Sequence, residues 1–429
     1  MFESKVREKV LAVYYIALAA MMYYMLDDTI FVYTVIPTRQ ICVLLLIFSG
    51  FVSFLIRPNI ARGVEVLKGT VILSAPLLAM VMVSLPIWIT RQIGVHEFKV
   101  VIWHHAVYVN QVFAALTAGV FLYQFGEKGI WYNLAAILIA NAMIVVTIMA
   151  ESGVAVYLRE FARLIMTFAG ETGEVIAQAE LHELVFCLGA YLIYMMVFAK
   201  KTPGHWVLFG LTTFLFLSAF KRIAMASIAL TVVAGVVLNL LAKANHRKWV
   251  DLIISIAFVL IIILLVLYIG FVEAGGFRLL EEVGVNTMSR ADMYELMEDY
   301  YEFSPSYTGK GTGYLSYQLT YVLPLWVQAI HNDFLQHFID LGFFGYIFWL
   351  LSLTVLRTWF FGRNGNTDAK VGAFVITCYM LILSTTDNTL NYQMFFTVTS
   401  LLIMGHGYDK RVRKTDERLF GYIEESNRL

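Results

Sequence analysis

Apolar residues run through this chain in long blocks, with short polar islands between them. Windows of about 20 apolar residues, the length that crosses a bilayer core as a helix, recur at 8–26, 40–56, 70–89, 100–124, 130–149, 182–199, 205–220, 223–242, 250–270, 333–356, 371–386 and 390–406. The pattern predicts an all-α polytopic membrane protein with about twelve transmembrane helices. Two stretches break it. One, 151–181, carries a mainly acidic set and an amphipathic piece, VYLREFARLIMTFAG, expected to lie on the membrane surface. The other, 271–332, is a long loop between spans nine and ten. The chain therefore divides into helices one to nine over 1–270, an extracytoplasmic loop with an amphipathic helix over 271–332, helices ten to twelve over 333–406, and a solvated tail over 407–429.

Composition strengthens this reading. The 429 residues are 60% hydrophobic and 14% charged, with a mean hydropathy of +0.73, whereas about a quarter of a soluble domain is charged. Net charge is zero, so neither nucleic acid nor an acidic partner is implied. Cys42, Cys187 and Cys378 fall inside apolar runs, which does not read as a disulfide framework. The start, MFESKVREKVLAVYYIALAAMMYYML, reads as a first span rather than a leader, since no small-residue cleavage site follows it.

Charge then sets the expected sidedness. With twelve spans both termini share a side, and the loops on that side collect 21 of the 31 Lys and Arg. The positive-inside rule makes that side cytoplasmic. The ten left outside are Arg39, Arg91, Lys99, Arg159, Arg163, Lys221, Arg222, Arg278, Arg290 and Lys310. Lys221 and Arg222 interrupt FLFLSAFKRIAMASIAL with almost no loop. Cations there either snorkel to headgroups or mark an anion site facing the bundle.

The long loop carries more candidates. In NTMSRADMYELMEDYYEFSP, Met293, Leu296, Met297 and Tyr300 follow helical spacing. Ser289 with Asp292 reads as a capping start and Pro305 as the stop. Asp292, Glu295, Glu298, Asp299 and Glu302 then share the opposite face. Arg290 flanks the apolar face and is expected to point toward the membrane, either toward a ligand or paired with a carboxylate. The turn Gly309-Lys310-Gly311-Thr312-Gly313 lacks Walker spacing; it reads as a flexible turn or as backbone that approaches a diphosphate. His331-Asn332-Asp333 opens the tenth span, with Asn332 or Asp333 as the N-cap. A histidine there could act as a base toward a sugar hydroxyl, although a lone histidine is more often structural.

In order along the chain, LSAFKRIAMA, SRADMYELM, GKGTGY and HNDFLQHFIDLGFFGYIFW resemble the O-antigen ligase/polymerase family of bacterial membrane glycosyltransferases. The motifs cover roughly 205–360. Lys221 stands where the family often has serine, which departs from the ligase pattern. The resemblance implies a glycan moved from a polyprenyl diphosphate-linked oligosaccharide donor to a glycan acceptor on the extracytoplasmic side of the bacterial inner membrane, with both termini cytoplasmic and no cofactor or metal. Its other implied partners are the lipid bilayer and further polysaccharide export proteins. Carried over, Arg222 and Arg290 would grip the diphosphate and His331 would face the acceptor. Lys221, Arg278, Lys310, Gly311, Gly313 and Asn332 would add substrate contacts. The expected function is a polysaccharide polymerase, with an O-antigen ligase as the alternative. Three other readings compete: a metal-dependent glycosyltransferase using Asp27-Asp28, a transporter or flippase using His104-His105 and Asn110-Gln111, and a membrane scaffold.

Overall fold

The computed structural model describes residues 2–24, 38–91, 94–167, 182–219, 221–284, 287, 289–323, 329–363 and 366–426. Asp27-Asp28 and much of the 151–181 loop lie outside the described residues, as do the side chains of His104-His105. All regular structure among the described residues is helical. The first half runs through α1 (Phe2–Tyr24), α2 (Thr38–Ile56), α3 (Ile60–Leu73), α4 (Ala75–Arg91), α5 (Val95–Phe125), α6 (Lys128–Ser152) and α7 (Val154–Thr167). It continues through α8 (His182–Val197), α9 (Pro203–Ser218), α10 (Arg222–Lys243) and α11 (Arg247–Glu273). The long loop holds α12 (Gly276–Glu282), α13 (Arg290–Glu295) and α14 (Tyr314–Tyr321). After it come α15 (Asp333–Leu351), α16 (Arg357–Gly362), α17 (Thr367–Ser384), α18 (Gln393–Gly405) and α19 (Tyr408–Ser426).

The described residues of each of the twelve apolar windows are mostly helical, but the span count is smaller by length and composition. Among the described residues six helices are long and apolar enough to cross a membrane, and a seventh counts if α3 and α4, bent by 44°, form one span. The segments Glu183–Val197 and Gln393–Gly405 are apolar but shorter. The figure of twelve therefore rests on hydropathy windows alone. Residues of α18 are buried along its whole length, and it packs against α5, α8 and α17 at the centre. Leu230, Val233, Leu264 and Leu267 on α10 and α11 are exposed, as expected of helices that face lipid.

The loop helix is shorter than its periodicity predicts. It spans Arg290–Glu295 and a separate 3-10 turn covers Glu298–Tyr300. Ser289 sits in the left-handed region at φ 61° and makes no side-chain cap bond, so the capping start inferred from Ser289 and Asp292 is corrected. The two-sided pattern holds in part: Met293 and Met297 are buried and all five carboxylates are exposed, but Leu296 is exposed as well.

Gly342 breaks α15 with φ 73° and ψ 177°. Into that break docks the 307–313 segment: the Phe343 N–H donates to the Tyr307 carbonyl at 2.9 Å, and the Gly311 N–H to the Asp340 carbonyl at 2.7 Å. A Cβ on Gly342 would run into the backbone of Thr308 and Gly309. Gly342→Ala should therefore destabilise the fold by about 1–3 kcal/mol through strain in a backbone region that only glycine populates and roughly 1–3 kcal/mol more through overpacking. Thermal unfolding in detergent would read this against Gly210→Ala, whose Cβ meets nothing within 4 Å; equal midpoints would count against the docking described.

Candidate active site

The turn after α17, Thr385-Thr386-Asp387-Asn388, gathers side chains from four other segments. Asn332 caps α15 as its sequence predicts, its Oδ1 accepting the Leu335 N–H at 3.1 Å. Its backbone N–H donates to Asn388 Oδ1 at 3.1 Å, and its Nδ2 donates to the Tyr268 hydroxyl at 3.0 Å. Tyr268 in turn donates to the Thr385 carbonyl at 3.2 Å. From α13, an Arg290 terminal nitrogen donates to the Thr386 carbonyl at 2.8 Å. Burial pushes the Tyr294 phenol above its ordinary range, opposed by its neighbours Asn332 and Arg290.

His331 sits one residue before the cap in the left-handed region, at φ 48°. That conformation costs a non-glycine residue about 1–2 kcal/mol, and it survives because Asn332 is tied on three sides. Its Nδ1 lies 3.8 Å from Asp387 Oδ1, with the imidazole half exposed and the Asp387 side chain 9% exposed. The same carboxylate oxygen accepts the Tyr392 hydroxyl at 2.8 Å and the Asn388 N–H at 2.8 Å. An outward-facing imidazole thus stands over a carboxylate fixed from two sides.

Arg222 opens α10, which packs on α17. A Cβ on Gly235 of α10 would touch Val375 of α17, which sets the register of the pair. Arg222 lies 13 residues from Gly235 and Thr386 lies 11 from Val375, about 20 and 17 Å at the helical rise. Both therefore emerge at the same end and at nearly the same height. The Arg222 side chain is exposed and makes no hydrogen bond or ion pair among the described residues. Lys221 precedes it, half-buried.

Three other outer cations are already matched. Arg39 pairs with Glu183 at 3.7 Å, and Arg91 with Glu97 at 3.3 Å. Arg278 meets Glu295 at 2.5 Å, Asp292 at 3.0 Å and Glu281 at 3.4 Å. Arg290 has no carboxylate partner among the described residues. Arg278→Ala is therefore expected to leave turnover at this site within about threefold of wild type, because its charge is spent on its own loop. A loss as large as that of an Arg290 variant, measured as product formed per minute, would place Arg278 back among the substrate contacts.

The glycine loop does different work from a phosphate cradle. The N–H groups of Lys310 and Gly311 go to carbonyls of the α15 break, that of Thr312 to Ser84 Oγ, and those of Gly313 and Leu315 to the Asp340 carboxylate at 3.0 and 3.1 Å. A Cβ on Gly311 would strike Trp88, and one on Gly313 would strike Val101. The turn is packed and bonded, not flexible, and these N–H groups are occupied within the protein. Lys310 places its ammonium 6.0 Å from the Tyr307 ring. Gln111, a candidate transport residue, donates to the Leu390 carbonyl at 2.8 Å and so bonds within the bundle.

Sequence reasoning missed Asp387. Its one visible signal is a polar island, Thr-Thr-Asp-Asn, between two apolar windows. An apolar slot of about 360 Å³ runs between α10, α11 and α17, from Leu230, Ala234 and Ile261 past Cys378 up to Thr385. A larger cavity of about 550 Å³ lies far from this turn, among Arg7, Arg57, Arg62 and Lys128.

No curated protein matches the chain. The family comparison does match, over residues 184–350, to Wzy_C, described as O-antigen ligase. That interval carries Arg222, Arg290, Asn332 and His331, three of which meet at the 385–388 turn. Over this segment the chain, a multi-pass helical membrane protein, is similar to the O-antigen ligase family.

Proposed function

We propose that the protein is a polysaccharide polymerase that moves a glycan from a polyprenyl diphosphate carrier to an acceptor sugar hydroxyl, on the extracytoplasmic side of the bacterial inner membrane. The observation that carries this is Arg290. In a molecule where Arg39, Arg91 and Arg278 have carboxylate partners, its guanidinium is held by a backbone carbonyl beside the His331–Asp387 pair. A guanidinium fixed this way keeps its remaining donors for a phosphate. Arg222 supplies a second from the neighbouring helix. The apolar slot beneath Thr385 suits the polyprenyl chain, which would enter from lipid with its diphosphate at the turn.

The chemistry follows from these positions. The bond between the anomeric carbon and the diphosphate oxygen breaks, and negative charge grows on the departing polyprenyl diphosphate. Arg222 and Arg290, whose guanidiniums are more weakly hydrated than an ammonium, stabilise that charge as fixed donors. His331 takes the proton from the acceptor hydroxyl as its oxygen bonds to the anomeric carbon. Asp387 orients the imidazole. Lys221, where the family often has serine, favours a polymerase, whose acceptor is another lipid-linked repeat unit. The ligase reading differs only in its acceptor, a lipid A core. The purified protein should lengthen glycan on the carrier when given polyprenyl-diphosphate oligosaccharide alone. Transfer that occurs only after a lipid-core acceptor is added would replace polymerase by ligase.

A further inference from the structure

At the end of α15 opposite His331, two features meet that glycan transfer does not use. Arg357, fully buried, donates to the Leu73 carbonyl at 2.7 Å, which fixes the level of α16 against α3. From that level Arg363 is six residues further along and Lys68 five residues back, about 9 and 8 Å toward the same end. Both line one cavity with Lys410, Lys414 and Arg418 of α19. These last three recur every fourth residue on a single helix face, where like charges repel one another. Among the described residues the one carboxylate in the lining is Glu65. It is spent on Arg411 at 3.6 Å and the Thr415 hydroxyl at 2.8 Å, with Lys68 at 3.5 Å.

An apolar groove of about 450 Å³ runs between α4 and the α15–α16 helix and reaches the Arg357–Leu73 level, from Met82 and Phe348 to Ala75 and Trp359. Its rim is open: Leu78 is 55%, Met82 66% and Trp359 61% exposed. Trp359 lies one turn above Arg363. An indole at the boundary between an apolar groove and a ring of cations is the usual arrangement at a membrane–water interface.

Basic residues are common at one rim of a membrane protein. Here they come from three separate elements and line a single cavity, and one of them, Arg363, follows four residues after Trp359, which lines the apolar groove. From this we infer that the cavity and groove together hold one anionic phospholipid, with acyl chain along α4 and α15 and phosphate headgroup between Lys68, Arg363 and the Lys410–Lys414–Arg418 stripe. Basic pockets between membrane helices recognise such headgroups. The lipid would also offset the repulsion along α19 and so help to hold that helix against α3.

The test uses the full-length protein in detergent, titrated with phosphatidylglycerol and, separately, phosphatidylcholine, with binding read by native mass spectrometry. Phosphatidylglycerol should bind roughly tenfold or more tightly than phosphatidylcholine. The Lys410→Gln/Lys414→Gln/Arg418→Gln variant should lose that preference, at about a tenfold cost or more. A Lys200→Gln/Lys201→Gln variant should keep it. Phosphatidylglycerol with brominated acyl chains should quench wild-type tryptophan fluorescence more than that of Trp359→Phe, which locates the chain independently of α19. Preference retained in the triple variant, an equal loss in the Lys200/Lys201 variant, quenching indifferent to Trp359, or displacement of the lipid by an equal concentration of inorganic phosphate would each overturn the assignment.

Discussion

Arg290→Ala is expected to lower glycan transfer by about 10²–10³-fold, the cost of removing one preorganised donor from a developing oxyanion. The protein should still insert and unfold at nearly the wild-type temperature. Arg290 gives the fold one part-buried hydrogen bond, to the Thr386 carbonyl, and such a bond contributes about 0.5–1.5 kcal/mol. Arg290→Lys should recover only part of the rate, since an ammonium restores the charge but not the planar fork. Arg222→Ala should fall in the same range. If both guanidiniums hold one diphosphate, the double variant should be less impaired than the product of the single losses. Product assays at saturating donor, with thermal midpoints alongside, would measure all of this. Near-normal product from Arg290→Ala in a folded protein would remove it from the mechanism, and the same holds for Arg222.

Helix positions were legible because apolar runs announce themselves locally, and the described residues of every window are mostly helical. The cap at Asn332 was legible too, whereas the one read at Ser289 was not there. Other features depend on partners remote in sequence. The stretch 57–69, left between the second and third apolar windows, is mostly helix α3, where Glu65 buries against Arg411 and Thr415, some 350 residues away. The GKGTG turn looked like phosphate chemistry from its glycines alone. What those glycines serve is close packing on Trp88, Val101 and the α15 break, and the acceptor for two of the N–H groups is Asp340, deep in an apolar run. Arg290 and Arg278 are alike as letters. Only the fold gives one of them carboxylates and the other a carbonyl at the turn.

The same gap hid Asp387, and it yields the second large effect. His331→Ala should lower turnover by about 10²–10⁴-fold, the range for losing a positioned general base, while the protein stays folded, since the half-exposed imidazole fills no core space. Asp387→Asn is the more discriminating change. An asparagine oxygen can still accept from the Tyr392 hydroxyl and the Asn388 N–H, so the turn and the thermal midpoint should hold. What disappears is the negative charge beside the imidazole. Turnover should fall by roughly 10–10²-fold with the donor KM little changed. That is less than the roughly 10⁴ seen where a buried aspartate hydrogen-bonds directly to its histidine, because this pair is 3.8 Å apart and half open to solvent. Combining His331→Ala with Asp387→Asn should cost little more than His331→Ala alone, as a residue that acts through the histidine has nothing to act on once it is gone. Multiplying losses in the double variant would mean that Asp387 works on the substrate directly, and an Asp387→Asn protein with full turnover would leave it as a brace for the turn.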